Sequence, residues 1–270
     1  MTWLSIHFYP LETPDIFLAR ALKPFLETFI WREKGARAFF IRFDDEKGPH
    51  IRLRLRGEAE WLRETLLPAL EGWFADRGEW QEVPYVPEKE RFGGDEALAL
   101  AEEYFHISTR VVLGRIGRDT FTYGDAMFDA MRMHTITAFA AGFTRERAAW
   151  YFGQLCNQWL PLFFRPLDNP GPMPEDMQAA LIEQFEKSFD PQKEDLRMAI
   201  GELWKALEAE KFDPDQPEWL RWFRGNQLIL NDLGDNMEKA LPSLLHFNSN
   251  RLGVNNQDEV FLAYVLSKSL

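Results

Sequence analysis

With one cysteine, Cys156, in 270 residues, the chain has no partner for an internal disulfide and too few thiolates for a cysteine-based metal centre. Its five histidines, His7, His50, His106, His134 and His246, form no H-E-x-x-H or other paired metal spacing, so neither a metal nor a cofactor is expected. Positive charge is also scarce. A net charge of −12 and a pI near 5.0 oppose extended contact with a phosphate backbone, and no direct nucleic-acid partner is expected. No apolar run reaches the length of a membrane span, and Met1 to His7 shows no basic region leading into an apolar one, which points to a cytoplasmic protein. A serine-hydrolase G-x-S-x-G elbow and an internal repeat are both missing, and Gly114-Arg115-Ile116-Gly117 follows no strand that would make it a phosphate loop.

Aromatic side chains are plentiful instead, with 23 Phe and 10 Trp, enough for a well-filled core and a lined groove. Trp3 to Tyr9 alternates like a first strand. Thr13-Pro14-Asp15 then opens a helix with a stripe of Ile16, Phe17, Leu22, Phe25, Leu26 and Phe29. RAFFIRFDDEKGPHIRLRLRG, Arg37 to Gly57, reads as a hairpin with turn chemistry over Asp44 to Pro49. A helix follows over Glu58 to Phe74, and Gly78 to Pro87 is extended.

From Asp95 the periodicity becomes helical: Asp95 to Phe105, Ser108 to Ile116, Tyr123 to Phe143, Thr144 to Leu162, Glu175 to Phe189, Lys193 to Lys211 and Pro217 to Ser243, with a loop over 165–174. Thr144 is a candidate N-cap, and Asp213 to Pro217 a break between helices. The expected fold is α+β: a small, mostly antiparallel sheet in residues 1–94 against a helical lobe in 95–270, in a single domain with the active groove between the two.

Three constellations can carry chemistry. On the second arm of the hairpin, period two sends Ile51, Leu53 and Leu55 to one face and His50, Arg52, Arg54 and Arg56 to the other. Guanidinium stays charged and grips carboxylate or phosphate bidentately, so this row suits an anion; it also fits an amphipathic strand with one solvated face. The second is Glu88-x-x-Arg91-Phe92-Gly93-Gly94, where the glycines allow close backbone approach and a helix start offers free N–H groups; a capped helix entrance with a surface ion pair reads the same way. The third is Leu245-His246-Phe247-Asn248-Ser249-Asn250-Arg251, a histidine beside a turn-forming polar run.

Taken in order, WLSIHFY, FFIRFDDEKGPHIRLRLRG, VPEKERFGG, EEYFHIST and LLHFNSNRLG resemble the C-terminal elimination domain of class I lantibiotic dehydratases, also called the thiopeptide-type bacteriocin biosynthesis domain, from Trp3 to about Leu266. The large glutamylation domain of full-length dehydratases does not precede it, so a free-standing member is expected. The resemblance implies a lyase that expels glutamate from a glutamylated serine or threonine of a precursor peptide, leaving dehydroalanine or dehydrobutyrine. It also implies a separate tRNA-dependent glutamylation protein as partner, and a homodimer stays open.

The residues that match the family's functional positions are Arg52, Arg54, Glu88, Arg91 and His246, with Ser108 a further polar position; Arg56 and His50 extend the row. Arg52, Arg54 and Arg91 are then expected to hold the glutamyl carboxylate and polarise the ester, His246 to move the proton and Glu88 to orient an arginine. Phe43 and Phe92 stand where many relatives have tyrosine, which removes two hydroxyls. Two other readings share the fold: a thiopeptide cyclase joining two dehydroalanines by a formal [4+2] aza-cycloaddition, and a non-catalytic peptide-docking subunit.

Overall fold

The computed structural model describes residues 1–118, 120–164 and 173–270. In chain order its elements are β1 (Thr2–Pro10), α1 (Pro14–Phe17), α2 (Lys23–Phe29), β2 (Arg37–Asp45), β3 (Gly48–Gly57), α3 (Ala59–Trp61), α4 (Leu67–Phe74), β4 (Gly78–Glu82), α5 (Lys89–Phe92) and α6 (Asp95–Ile116). They continue as α7 (Tyr123–Ala140), α8 (Arg145–Phe163), α9 (Glu175–Phe189), α10 (Lys193–Glu208), α11 (Pro217–Leu233), α12 (Met237–Leu252) and α13 (Asn256–Ser269). The fold is α+β, as the element pattern of the sequence implied. The chain forms two compact units, one of Met1–Thr122 with Asn231–Gly253, the other of Tyr123–Leu230 with Val254–Leu270.

The first unit holds an antiparallel sheet in the order β2-β3-β1-β4. One face is wholly apolar: Leu4, Ile6 and Phe8 of β1, Ala38 and Phe40 of β2, and Ile51, Leu53 and Leu55 of β3 are all buried. Phe17, Phe25 and Phe74 from the helical stretches cover it, with Phe8 stacked on Phe17 at 4.4 Å between ring centroids. Each such ring contributes about 1.5–3 kcal/mol by leaving water. Period two therefore leaves the opposite face to Trp3, Ser5, His7 and Tyr9 of β1 and to the basic row of β3.

Several boundaries differ from the sequence reading, each for a physical reason. The hairpin turn is Glu46–Lys47 alone, because pairing runs on to Asp45↔Gly48 and the Lys47 N–H donates to Asp45 Oδ1 (2.9 Å). Pro49 is tolerated there because β1 pairing stops at Phe8↔Ile51, so no second neighbour asks for its missing donor. The extended run after Gly78 keeps strand pairing only to Glu82, since Pro84 and Pro87 cannot donate. The two helices expected over 95–116 are one, and buried His106 sits inside it. The single helix expected over 217–243 breaks at Gly234 (φ 51°), and the polar run after Leu245 is helical, inside α12. The loop read over 165–174 lies outside the described residues except for Met173 and Pro174.

The second unit is helical. Trp204 and Trp222 are buried in it, with Phe139 edge-on to Trp204 at 5.2 Å and Trp222 Nε1 donating to Met133 O (3.2 Å). Thr144 caps α8 by accepting from Arg147 N (3.2 Å), as expected, and Asn255 caps α13, a helix the sequence reading left unassigned. Cys156 is buried and its thiol is pushed up to about 11 by burial, so it is an inert structural group.

Candidate active site

Every candidate residue falls in the first unit. On the sheet, register sets Arg56 opposite Trp3, Arg54 opposite Ser5 and Arg52 opposite His7. The Arg52 guanidinium lies over the Phe43 ring at 3.2 Å, and its Nε donates to His50 Nε2 (3.4 Å). The phenyl ring at position 43 thus serves as a cation–π platform without needing a hydroxyl. His50 is fully buried between the rings of Tyr9 (4.6 Å) and His7 (5.0 Å), with Nδ1 3.2 Å from Gly48 O. Burial removes it from direct reach of a substrate and makes it a prop for Arg52.

Arg54 is 7% exposed and its Nη1 has only long hydrogen bonds, to Leu53 O (3.2 Å) and Ile6 O (3.4 Å). Burial lowers its pKa to about 10, opposed by Tyr85 and reinforced by Arg52. Among the described residues no carboxylate forms an ion pair with Arg52, Arg54 or Arg56; Asp45 acts on Arg52 and Glu102 on Arg56 from farther away, and Arg54 has neither. Beside Arg54, the Ser5 hydroxyl is buried and has no hydrogen-bond partner.

The second cluster comes from the segment after β4 and from α12. Arg91 Nε donates to Ser243 Oγ (2.6 Å), Nη1 to Glu88 Oε2 (2.9 Å), and its guanidinium lies over the Phe247 ring at 5.1 Å. His246 precedes Phe247 on α12, ring to ring at 5.6 Å. Tyr85 joins the clusters. The Arg54 guanidinium is 5.5 Å above its ring, and its hydroxyl donates to buried Glu102 (3.0 Å). Burial and then Glu102 raise the Tyr85 pKa, and Glu88 adds to this. A row of rings, Tyr85, Phe39, Phe105 and Phe247, spans the distance with centroid spacings of 6.1, 5.3 and 5.0 Å. The structure therefore brings Glu88 and Arg91 together with Ser243 and Phe247 of α12, the helix that also carries His246, and connects them to the arginine strand through Tyr85 and these rings.

Other expectations are redirected. Ser108 is fully buried and donates to Asn248 Oδ1 (2.9 Å), which in turn donates to Tyr104 (2.7 Å), so it cannot touch a substrate. Gly93 (φ 106°) does not admit a ligand: a Cβ there would lie 2.2 Å from Asn236 Oδ1, so the glycine admits Asn236. The start of α6 is served by its own Asp95 and Glu96, with Lys89 paired to Asp95 at 2.5 Å, which leaves little call for an external anion.

Sequence reasoning missed Ser243, which fixes Arg91, and three side chains that seal the open edge of β2. His106 Nδ1 meets the Ala38 N–H (3.1 Å), Arg251 Nε donates to Phe40 O (2.9 Å), and the Asn250 amide both accepts from Arg42 N and donates to Arg42 O (2.9 Å each). These pairs span 68 to 211 residues, so no local spacing could announce them. No group of three or more His, Cys, Asp or Glu among the described residues could hold a metal ion. No helix of the described residues is long and apolar enough to cross a membrane.

The first unit thus carries an arginine-bearing sheet face and a Glu88–Arg91 pair held by Ser243. The chain belongs to the lantibiotic biosynthesis dehydratase C-terminal family, whose model matches residues 3–270. No curated protein matches it in sequence. Among solved structures it is similar to the tRNA-dependent lantibiotic dehydratase MibB from Microbispora sp. 107891 (TM-score 0.70, 20% identity), covering 99% of this chain and 28% of that one. It is also similar to TbtD, the pyridine synthase from thiomuracin biosynthesis (TM-score 0.76, 14% identity), covering 100% of this chain and 97% of that one. A third similar structure is TsrL (TM-score 0.59, 16% identity; 99% and 93% covered).

Proposed function

We propose that the protein is a lyase that expels glutamate from a glutamylated serine or threonine of a precursor peptide, leaving a dehydroamino acid. The observation that carries this reading is Arg54, buried and without a carboxylate partner beside two further unpaired arginines. A guanidinium held this way is unfavourable until an anion arrives, and the glutamyl unit brings one carboxylate and releases a second as the ester breaks. In this reading Arg52 and Arg54 hold the free carboxylate and Arg56 extends the row toward the peptide. Arg91, fixed by Ser243 and Glu88, polarises the ester, and His246, next to Phe247 on α12, handles a proton. His50 and Ser108 act from behind, the first by propping Arg52 and the second through Asn248 and Arg251. A separate tRNA-dependent protein loads the peptide with glutamate.

The test is intact-mass analysis of an O-glutamyl-serine peptide incubated with the protein. Loss of glutamate with formation of dehydroalanine is expected, and Arg91→Ala and His246→Ala, folded, should abolish it. A glutamylated peptide that stays intact overturns the reading. One observation favours a second reading, a [4+2] cyclase: the fold is also similar to that of a pyridine synthase, with a TM-score of 0.76 against 0.70 for the dehydratase. A peptide carrying two dehydroalanines separates the two, since only a cyclase converts it. Binding of both peptides with turnover of neither leaves a docking subunit.

A further inference from the structure

We propose that His7 is the catalytic base of the elimination and takes the Cα proton of the glutamylated residue; the proposal rests on the lyase reading above. His7 sits at the centre of the basic sheet face. β1 lies between β3 and β4, and the register sets Arg52 directly opposite His7 on one side and Gln81 on the other. The side chain is partly exposed; a concavity of about 390 Å³ lies farther along β1 and β4, lined by Tyr9, Lys47, Glu79, Trp80 and Gln81 and not by His7 itself.

Its ring nitrogens are uncommitted. Among the described residues neither makes a hydrogen bond, and its ring contact is with His50 at 5.0 Å. The neighbouring imidazoles are occupied: His50 meets Gly48 O and Arg52, and His106 is committed to Ala38. A partly exposed imidazole with a free lone pair, opposite one of the arginines proposed to hold the substrate, has the form that proton abstraction needs.

Charge keeps that lone pair available. The groups that face His7 are Arg54, Arg52 and His50 on β3, and Asp45 at the hairpin end of β2. Burial first, then Arg54, Arg52 and His50, push its pKa down to about 4 against the smaller opposing pull of Asp45, so the ring is neutral at pH 7. A base that weak is poor on its own. A carboxylate landing on Arg52 and Arg54 cancels their share of the suppression, the part that does not come from burial, and to that extent binding the substrate raises its basicity. The step then balances. A His7 nitrogen takes the Cα proton, the C–H pair becomes the Cα=Cβ bond, and the Cβ–O bond breaks with its electrons leaving on glutamate as a carboxylate. The proton passes from His7 to water.

The experiment compares wild type with His7→Gln and His7→Asn on an O-glutamyl-serine peptide, with thermal unfolding as the folding control. The expected result is a kcat about 100-fold lower or more in folded variants, with KM within a few-fold. In wild type the acidic limb of kcat should lie at higher pH than that of kcat/KM, because the first reports the substrate complex and the second the free enzyme. Wild type should also exchange the Cα hydrogen of an amide-linked, non-leaving analogue in deuterated water, and the variants should not. Variants that eliminate within a few-fold of wild type, or that still catalyse this exchange, overturn the role of His7 and leave the lyase intact. A wild type that eliminates nothing overturns both.

Discussion

Arg251 and Arg54 are both buried in the sheet-bearing unit, and the protein treats them in opposite ways. Arg251, on α12, donates to Phe40 O (2.9 Å) and Phe247 O (3.1 Å) and reaches Ser108 Oγ (3.5 Å), and Phe105 lies under its guanidinium at 4.7 Å. Only its Nη2 lacks a partner. Arg54 reaches two backbone carbonyls at 3.2 and 3.4 Å and faces the cation of Arg52. Burial lowers both pKa values, to about 9 and about 10. Residue type and burial are thus alike, and what separates them is hydrogen bonding: one guanidinium closes a sheet edge, the other is left for something that has yet to bind.

The largest effect expected from breaking this contrast is in stability. Arg251→Met leaves the buried edge carbonyl of Phe40 without its donor and should lower unfolding free energy by about 1–3 kcal/mol, read from the denaturant midpoint, with a smaller effect on the turnover of the folded fraction than Arg54→Met. Arg54→Met should do the reverse. It removes an uncompensated buried charge, so stability holds or rises, while elimination falls about 100-fold or more.

The sealed edge also predicts a pH dependence. His106 is held down to about 4, by burial first, so its folded pKa lies below the unfolded value near 6.5. Its stabilising share is present above pH 6.5 and is lost as pH falls toward 4, at up to about 1.4 kcal/mol per pH unit, because the unfolded chain takes up a proton the folded chain refuses. Denaturation midpoints at pH 7 and pH 5 should show the decline; His7, also held down to about 4, adds a similar share, so His106→Gln should remove about half of it. The smallest effect concerns Arg91. Ser243→Ala should lower turnover about 5- to 10-fold by loosening its guanidinium, and Ser243→Thr should restore part of it.

How far the sequence discloses this depends on how local each signal is. Alternation in β3 is a property of neighbouring residues, and it divided His50, Arg52, Arg54 and Arg56 from Ile51, Leu53 and Leu55 as the sheet does. The run Asn248-Ser249-Asn250 reads as a turn for the same local reason, since Asn and Ser favour turns when their side chains bond nearby backbone. In the fold Asn250 bonds Arg42, 208 residues away, and Asn248 bonds Ser108 and Tyr104, so the run stays helical. Ser243 and His7 were invisible as functional candidates because a serine in a helix and a histidine in a strand carry no spacing of their own. Only register and packing set them beside Arg91 and Arg52.

The most direct measurement is calorimetric titration with a peptide carrying glutamate on diaminopropionate through an amide, which binds like the ester and cannot be eliminated. The account predicts saturable binding to wild type, weakened at least about 10-fold in folded Arg54→Met and retained in Arg56→Met within a few-fold, with affinity falling as salt rises. Equal affinity in wild type and Arg54→Met would contradict the claim that the unpaired arginine is the seat of the glutamyl carboxylate.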